Sequence, residues 1–540
     1  MLSRNLIAAA GNAAEEIPEG AWDLSYAYYG LPNEGAWDVS TAMFTGSRSV
    51  SANTRFAKDV FFKPDGLKMY TVDDNLFGTV GVHEYSLSTA WDIQTTSFVQ
   101  SFSVATQEAD PTGIFFKPDG TKMYVIGFAG RDVNEYSLST AWNISTASYV
   151  RNFSVNSQET APQDVFFKPD DGKKMYIIGT VGDDVNEYSL STGWNISTAS
   201  YVRTFSVSAQ ELTPTGFFFK SDGTEMYVIG RTTPRDVSQY SLSTAWNIST
   251  ASYTTAFPTE TQETDPSGLF LKPDGLGMYV IGESGDDVNE YVMGGFDLSA
   301  QMSNPQDVFF KSDGTKMYIV DTNADDVNEY SLSTAWDIQT ASFVQNLSVN
   351  AQEAGPTGVF FKPDGTKMYI VGTVGREVNE YSLSTAWDIS TATFVQNFSV
   401  SAQGTAPQFI FFKTDGTKMY IVETIGKNVN EYSLTTAWDI STASYDQAFS
   451  VSAQVTDPQG LAFKPDGTKM YLVDTFSDDV SEYSLSTAWD VSTASYDQNF
   501  ALYSNTSPTG IFFKSNGTRM YIVFRAPSDM ILEYNIGVEG

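Results

Sequence analysis

The chain has 540 residues, 41% of them apolar and 14% aromatic, with 37 Phe and 29 Tyr, which suits a β-rich core and excludes bulk disorder. It has no Cys and a single His, His83, so disulfides, thiolate nucleophiles, Cys-ligated metals and a repeated His-based triad are excluded. A net charge of −34, from 65 acidic against 31 basic residues, argues against nucleic acid and suits salty surroundings, a cation-binding face or a basic partner.

In chain order, residues 1–35 read as a retained tail. The apolar run Leu6–Ala10 is shorter than the ~7–15 residues of a signal-peptide core, so no clear export signal is present. No stretch reaches the ~18 apolar residues of a membrane span. The tail carries an extra AWDLSYAYYG, Ala21–Gly30, and is expected to dock the chain or to add an edge strand. Next comes AWDVSTAMFTGSRSVSA, Ala36–Ala52, which matches the second half of a unit that then repeats ten times. The repeat is marked by Met-Tyr at Tyr70, Tyr124, Tyr176, Tyr227, Tyr279, Tyr318, Tyr369, Tyr420, Tyr471 and Tyr521, at intervals of 50–54 residues with one of 39. A period of this size points to a propeller or a solenoid.

The unit Pro356–Ala406 holds four short β-prone runs and no helical periodicity. Strand A is GVFFK (358–362), followed by the turn Pro363-Asp364-Gly365. Strand B is KMYIVG (367–372), strand C is EVNEYSLS (377–384) and strand D is TFVQNFSV (393–400). Four antiparallel strands per unit predict an all-β fold built of propeller blades. The run PDGTKMYIVGTVGREVNEYSLST resembles the YVTN-type β-propeller repeat, over about residues 37–540. The uniform units with STAWDISTAS between strands C and D are also similar to propeller repeats of marine bacteriophage and environmental bacterial proteins, and the N-terminus resembles the start of many phage virion proteins. The resemblance implies the propeller fold, in a family that spans lactonase-like enzymes, surface-layer modules and adhesins. The Trp-Asp pairs are not a WD40 signature, because they fall in the C–D connection and the Gly-His partner is missing.

The last unit ends in MILEYNIGVEG, without a strand D, and Ala36–Ala52 is expected to supply it. At the short interval, Phe296–Asp307 aligns with Phe153–Asp164, and Gly294-Gly295 can make a tight hairpin turn from strand C to strand D. These readings favour a tail, 1–35, followed by one closed ring of ten blades, 36–540. The alternative is two five-bladed propellers split near 294–295.

The repeated residues read as scaffold. The Pro-Asp-Gly turn and the Phe pair explain the most uniform stretch. The Lys closing each strand A, Lys63 to Lys514, and the Glu of strand C, Glu84 to Glu533, are expected to pair with opposite charges. His83 replaces an Asn and is no metal site. Two sets of residues are candidate binding groups. One is the paired acids Asp183-Asp184, Asp286-Asp287, Asp325-Asp326 and Asp478-Asp479, which with loop carbonyls could offer oxygen ligands to Ca²⁺, the one cofactor considered. The other is the unit tryptophans Trp91, Trp142, Trp194, Trp246, Trp336, Trp387, Trp438 and Trp489, either sugar-stacking platforms or plugs over the blades. No catalytic set is legible. The expectation is a non-enzymatic binding or structural propeller in a virion or at an extracellular surface, joined to other virion or surface proteins through the tail. A glycan-binding lectin or adhesin is the alternative, and a lactonase-like hydrolase the more remote one.

Overall fold

The computed structural model describes residues 22, 24, 27–29, 37–74, 80–273, 275–502, 507–525 and 529–536. It contains ten antiparallel sheets built on the order A–B–C–D, with the outer strand of the tenth in two pieces; the seventh shows the regular form: Pro356–Phe361, Lys367–Gly372, Glu377–Leu383 and Ala392–Ser399. Strands A to C are rich in β-branched and aromatic residues and are buried along almost their whole length, because neighbouring blades cover both of their faces. Strand D alternates between exposed and half-buried positions, as an outer edge should. The A–B turn forms as its sequence dictates: Gly365 has φ +73°, and Asp364 accepts hydrogen bonds from the Thr366 N–H at 3.0 Å and from Lys362 Nζ at 2.6 Å.

The chain divides into two compact units, residues 31–295 and residues 1–30 with 296–540. In the first, the A strands run side by side through five sheets, and the fifth (Pro266–Leu271) returns to lie against the first (Ala57–Phe62). Ser267 Oγ donates to the Ala57 carbonyl at 2.6 Å, and Tyr279 Oη to the Trp91 carbonyl at 2.8 Å, across that junction. In the second unit the A strands form a matching cycle from Pro305–Phe310 to Ser507–Phe513, whose junction carries Tyr521 Oη donating to the Trp336 carbonyl at 2.8 Å.

These pairings correct the expected single ring. Met43–Ser49 completes the fifth sheet by pairing with Asp287–Val292, and does not pair with the last sheet. The outer strand of the last sheet is composite instead: Ala27–Tyr29 pairs with Tyr534–Ile536, and Phe296–Asp297 pairs with Met530–Ile531. Gly294-Gly295 is therefore no C–D hairpin within one sheet. It carries the chain from the end of the fifth sheet to the outer edge of the tenth. The physical reason is that the register of strand D suits any strand C of the repeat, so the short connection and the two leading Trp-Asp segments decide where each copy pairs. Trp22 and Leu24 of the tail are buried in the second unit. The rest of the expected docking segment in 1–35, apart from Ala27–Tyr29, lies outside the described residues.

Candidate functional site

Each Trp of the C–D connection has a left-handed backbone, with φ from 61° to 70°, and lies over the A–B turn of its own blade. The Trp142 N–H donates to the Gly120 carbonyl at 3.0 Å, and a Cβ on Gly120 would fall 2.3 Å from the indole nitrogen. Asn143, the next residue, caps a short 3₁₀ turn through Ser145 N–H. The Trp142 carbonyl accepts from Tyr70 Oη at 2.7 Å and Lys68 Nζ at 2.9 Å, both in the preceding blade. Lys68 also pairs with Glu84, and the equivalent Lys122 bridges Glu135 and the Trp194 carbonyl, both at 2.7 Å. The Glu partner is buried in each case. Trp142, Trp246, Trp336, Trp387, Trp438 and Trp489 are only 7–9% exposed, and Trp91 and Trp194 are half-buried. The eight rings sit one to a blade, packed against their glycine turn and inner-strand Phe rings, and Trp489 also lines an apolar cavity.

The paired acids separate at the backbone. Asp183, Asp286, Asp325 and Asp478 take the left-handed conformation of the B–C turn, with φ of 50–52°. Their carbonyls accept from Val207, Val50, Val349 and Leu502, the residues that follow the strand D alongside. Arg131, Arg235, Arg376 and Lys427 hold the same conformation in other blades, so the side chain varies while the turn does not. The second acids begin strand C. Asp184 accepts from Asn186, Asp326 from Asn328 and Asn346, and Asp479 from Asn499. Asp286 accepts from the Phe56 N–H at 2.7 Å, and Asp287 pairs in register with Ser49. Among the described residues no three metal-ligating side chains converge. His83 is buried between Asp73, at 3.1 Å, and Ser101, at 2.8 Å.

A further carboxylate was not legible as a set. Glu108, Glu159, Glu211, Glu263 and Glu353 of the D–A loops fold back onto loop N–H groups, as where Glu108 accepts from Asp110 and Gly130 at 2.9 Å. Burial raises the pKa of Glu108, Glu159, Glu263 and Glu353. In four of the five blades whose loop has no Glu, strand B ends in Asp73, Asp321, Glu423 or Asp474, which binds the same loop; the tenth has Phe524 there. The signal was reciprocal: strand B ends in Gly where the loop has Glu, since a Cβ on Gly127 would meet Glu108 at 2.3 Å.

One departure from repetition that gathers titratable groups lies on the axis of the first unit; another is the ion-pair network of Lys58, Asp74, Arg231, Asp265 and Glu283. At the third position of strand A, seven units carry Gly or Phe, and Asp59, Asp164 and Asp307 replace them. Asp59 accepts from its neighbour Val60 at 2.7 Å and from Ile114 of the next A strand at 2.9 Å; Asp164 accepts from Val165 at 2.6 Å and Phe217 at 3.3 Å. The two carboxyls interact with each other. Burial raises both, Asp164 to about 7 and Asp59 well above the ordinary carboxylate value, where the neighbouring Asp164 charge adds to the effect of burial. Asp307 stands without such a partner in the second unit, raised by burial and held by Val308 and Val359 N–H groups. The space beside Asp59 and Asp164 is about 10 Å³, room for about one water at most. The pair links neighbouring A strands through the Ile114 and Phe217 N–H groups.

Solved structures similar to this chain include a functionally unknown protein from Desulfotomaculum acetoxidans, 11% identical, covering 71% of this chain and 100% of its own, with a TM-score of 0.25. Two others are candidate 6-phosphogluconolactonases. The one from Bacteroides fragilis is 15% identical, covers 63% and 97%, and has a TM-score of 0.29; the one from Bacteroides uniformis is 12% identical, covers 81% and 97%, and has a TM-score of 0.27. No family model matches the chain, and no curated protein matches its sequence. The propeller assignment rests on the blades themselves. Among the described residues no helix is long and apolar enough to cross a membrane.

Proposed function

We propose that the protein is a non-enzymatic binding and assembly propeller, similar in build to YVTN-type repeats, that acts on a phage virion or at an outer cell surface. The observation that supports this reading is its rim. In nine blades strand D is bulged against strand C, as where Tyr149 faces Tyr136 and Arg151 faces Glu135, leaving Val150 as the extra residue. In five of these blades two consecutive apolar side chains at the bulge face outward: Phe98-Val99, Tyr149-Val150, Tyr201-Val202, Phe343-Val344 and Phe394-Val395 are each 38–48% exposed, and Tyr253, Tyr445 and Tyr496 repeat the aromatic. A repeated apolar edge on a strongly acidic body is a surface suited to packing against structural chains of a particle or surface layer. The repeated Trp, Lys and Glu side chains serve contacts within and between blades, and the axial carboxyls are sealed, which supports a role without catalysis.

Mass spectrometry of gradient-purified particles and washed cell envelopes tests the location; recovery of the chain only from the soluble lysate refutes it. Substituting Tyr149, Tyr201 and Phe394 by Ser should leave the melting curve nearly unchanged and abolish recruitment to that fraction. Retained recruitment refutes the rim. Hydrolysis of 6-phosphogluconolactone above the buffer rate refutes the non-catalytic reading.

A further inference from the structure

Every A strand but one carries, just before its last residue, a Phe that faces the axis of its unit. In the first unit these are Phe61, Phe115, Phe166, Phe218 and Phe270, and they form an unbroken edge-to-face cycle. Centroids of successive rings are 5.4, 5.1, 5.3, 5.2 and 5.4 Å apart, with planes inclined by 66–75°. The aromatic quadrupole favours this arrangement, in which each ring's edge meets the next ring's face.

The second unit repeats the cycle and then breaks it. Phe512, Phe309, Phe360 and Phe411 follow one another at 5.3, 5.1 and 5.3 Å with the same inclinations. The fifth member is Ala462, between Phe411 and Phe512. A cavity of about 160 Å³ lies there, with an almost wholly apolar lining to which Phe411, Ala462 and Phe512 contribute. Phe409 lines it at the level where the first unit has its axial Asp and Gly residues, and Thr414, Pro465 and Ser515 of the A–B turns line it where it reaches their face.

We propose that this vacancy is a binding site for one benzene-sized apolar ring, either a small arene or the terminal phenyl group of a larger ligand that enters from the A–B turn face. Three features select that chemistry. The volume is that of an apolar cavity of roughly 150 Å³, which stays dry and takes benzene. The surviving rings leave exposed the edge of one neighbour and the face of another, the two contacts that a fifth phenyl group makes in the sister unit. The lining offers no convergent donors or charges, so a polar ligand would lose its hydration without replacement.

Fluorobenzene is the probe, titrated into the purified full chain with ¹⁹F NMR as the readout. The wild-type chain should bind one molecule. Ala462→Phe should complete the cycle, raise the melting temperature and abolish binding. Phe218→Ala in the first unit should open a second vacancy, beside Asp59 and Asp164, and raise the stoichiometry above one with a weaker second site. If Ala462→Phe does not fold, Ala462→Leu should weaken the wild-type site by at least ~10-fold through partial filling. A homologous series ending in phenyl or cyclohexylmethyl groups separates the free arene from the end of a longer ligand. Absence of binding to the wild-type chain, or undiminished binding to the filled variant, overturns the proposal.

Discussion

Replacing Trp142 by Ala should destabilise the chain by about 3–5 kcal/mol. The indole is 8% exposed, so it removes roughly 200 Å² from water, which at ~25 cal/mol per Å² is about 5 kcal/mol. That figure is an upper value, because the unfolded chain already shields some of this surface; large-to-small changes of this kind cost ~3–5 kcal/mol. The backbone contribution is separable. Trp142 has φ +63°, a conformation that costs an Ala as much as a Trp, whereas Gly adopts it freely, so Trp142→Gly should recover up to ~1 kcal/mol relative to Ala. The carbonyl that accepts from Tyr70 and Lys68 remains in all variants. Urea unfolding of the full chain, followed by circular dichroism, gives both differences. A loss below ~1 kcal/mol for Trp142→Ala, or lost glycan binding with undiminished stability, would refute the reading of this ring as a plug.

Tyr70→Phe keeps the ring and removes one inter-blade hydrogen bond of 2.7 Å, so it should cost ~1 kcal/mol in the same assay. Gly365→Ala should cost more than ~2 kcal/mol, because φ is +73° and the new Cβ would fall 2.3 Å from Trp387 Nε1; a neutral result would disprove the close approach. Asp59 and Asp164 have folded pKa values above their unfolded ones, Asp164 at about 7. Their stabilising contribution is therefore present at acid pH and is lost as pH rises through the folded values. Asp59→Asn, which mimics the protonated acid, should flatten the decline in stability between about pH 4 and 7, from the ordinary carboxylate value to that of Asp164; an unchanged slope would show that the pair does not share a proton.

The repeat made most of the blade legible. The Pro-Asp-Gly turn, the Phe pair, the strand C Glu and the Lys of strand A have local or cross-strand partners, so their roles follow from spacing. His83 as a substitute for the usual Asn was legible for the same reason. What could not be read was anything set by the identity of a distant partner. Met43–Ser49 fits strand C of the fifth sheet and of the tenth equally by sequence, and only the pairing shows which it joins. The presence of two leading Trp-Asp segments, at Trp22 and Trp37, was the available signal for two closures. The axial residues were hidden by the same uniformity that exposed the blades. Asp59, Asp164 and Ala462 each break a repeated position once or a few times, and their meaning depends on four other A strands converging at the axis.

The central claim is that the leading strand closes the fifth blade and so makes a five-bladed unit. The native absence of Cys allows a direct measurement. Ser49 faces Asp287 in the observed register, and Met530 occupies the equivalent place in the last blade. Oxidation of the Ser49→Cys, Asp287→Cys double variant should give an intramolecular disulfide, detected by mass spectrometry of the digest, while Ser49→Cys with Met530→Cys should stay reduced. A disulfide in the second variant and none in the first would contradict the account and restore the single ring.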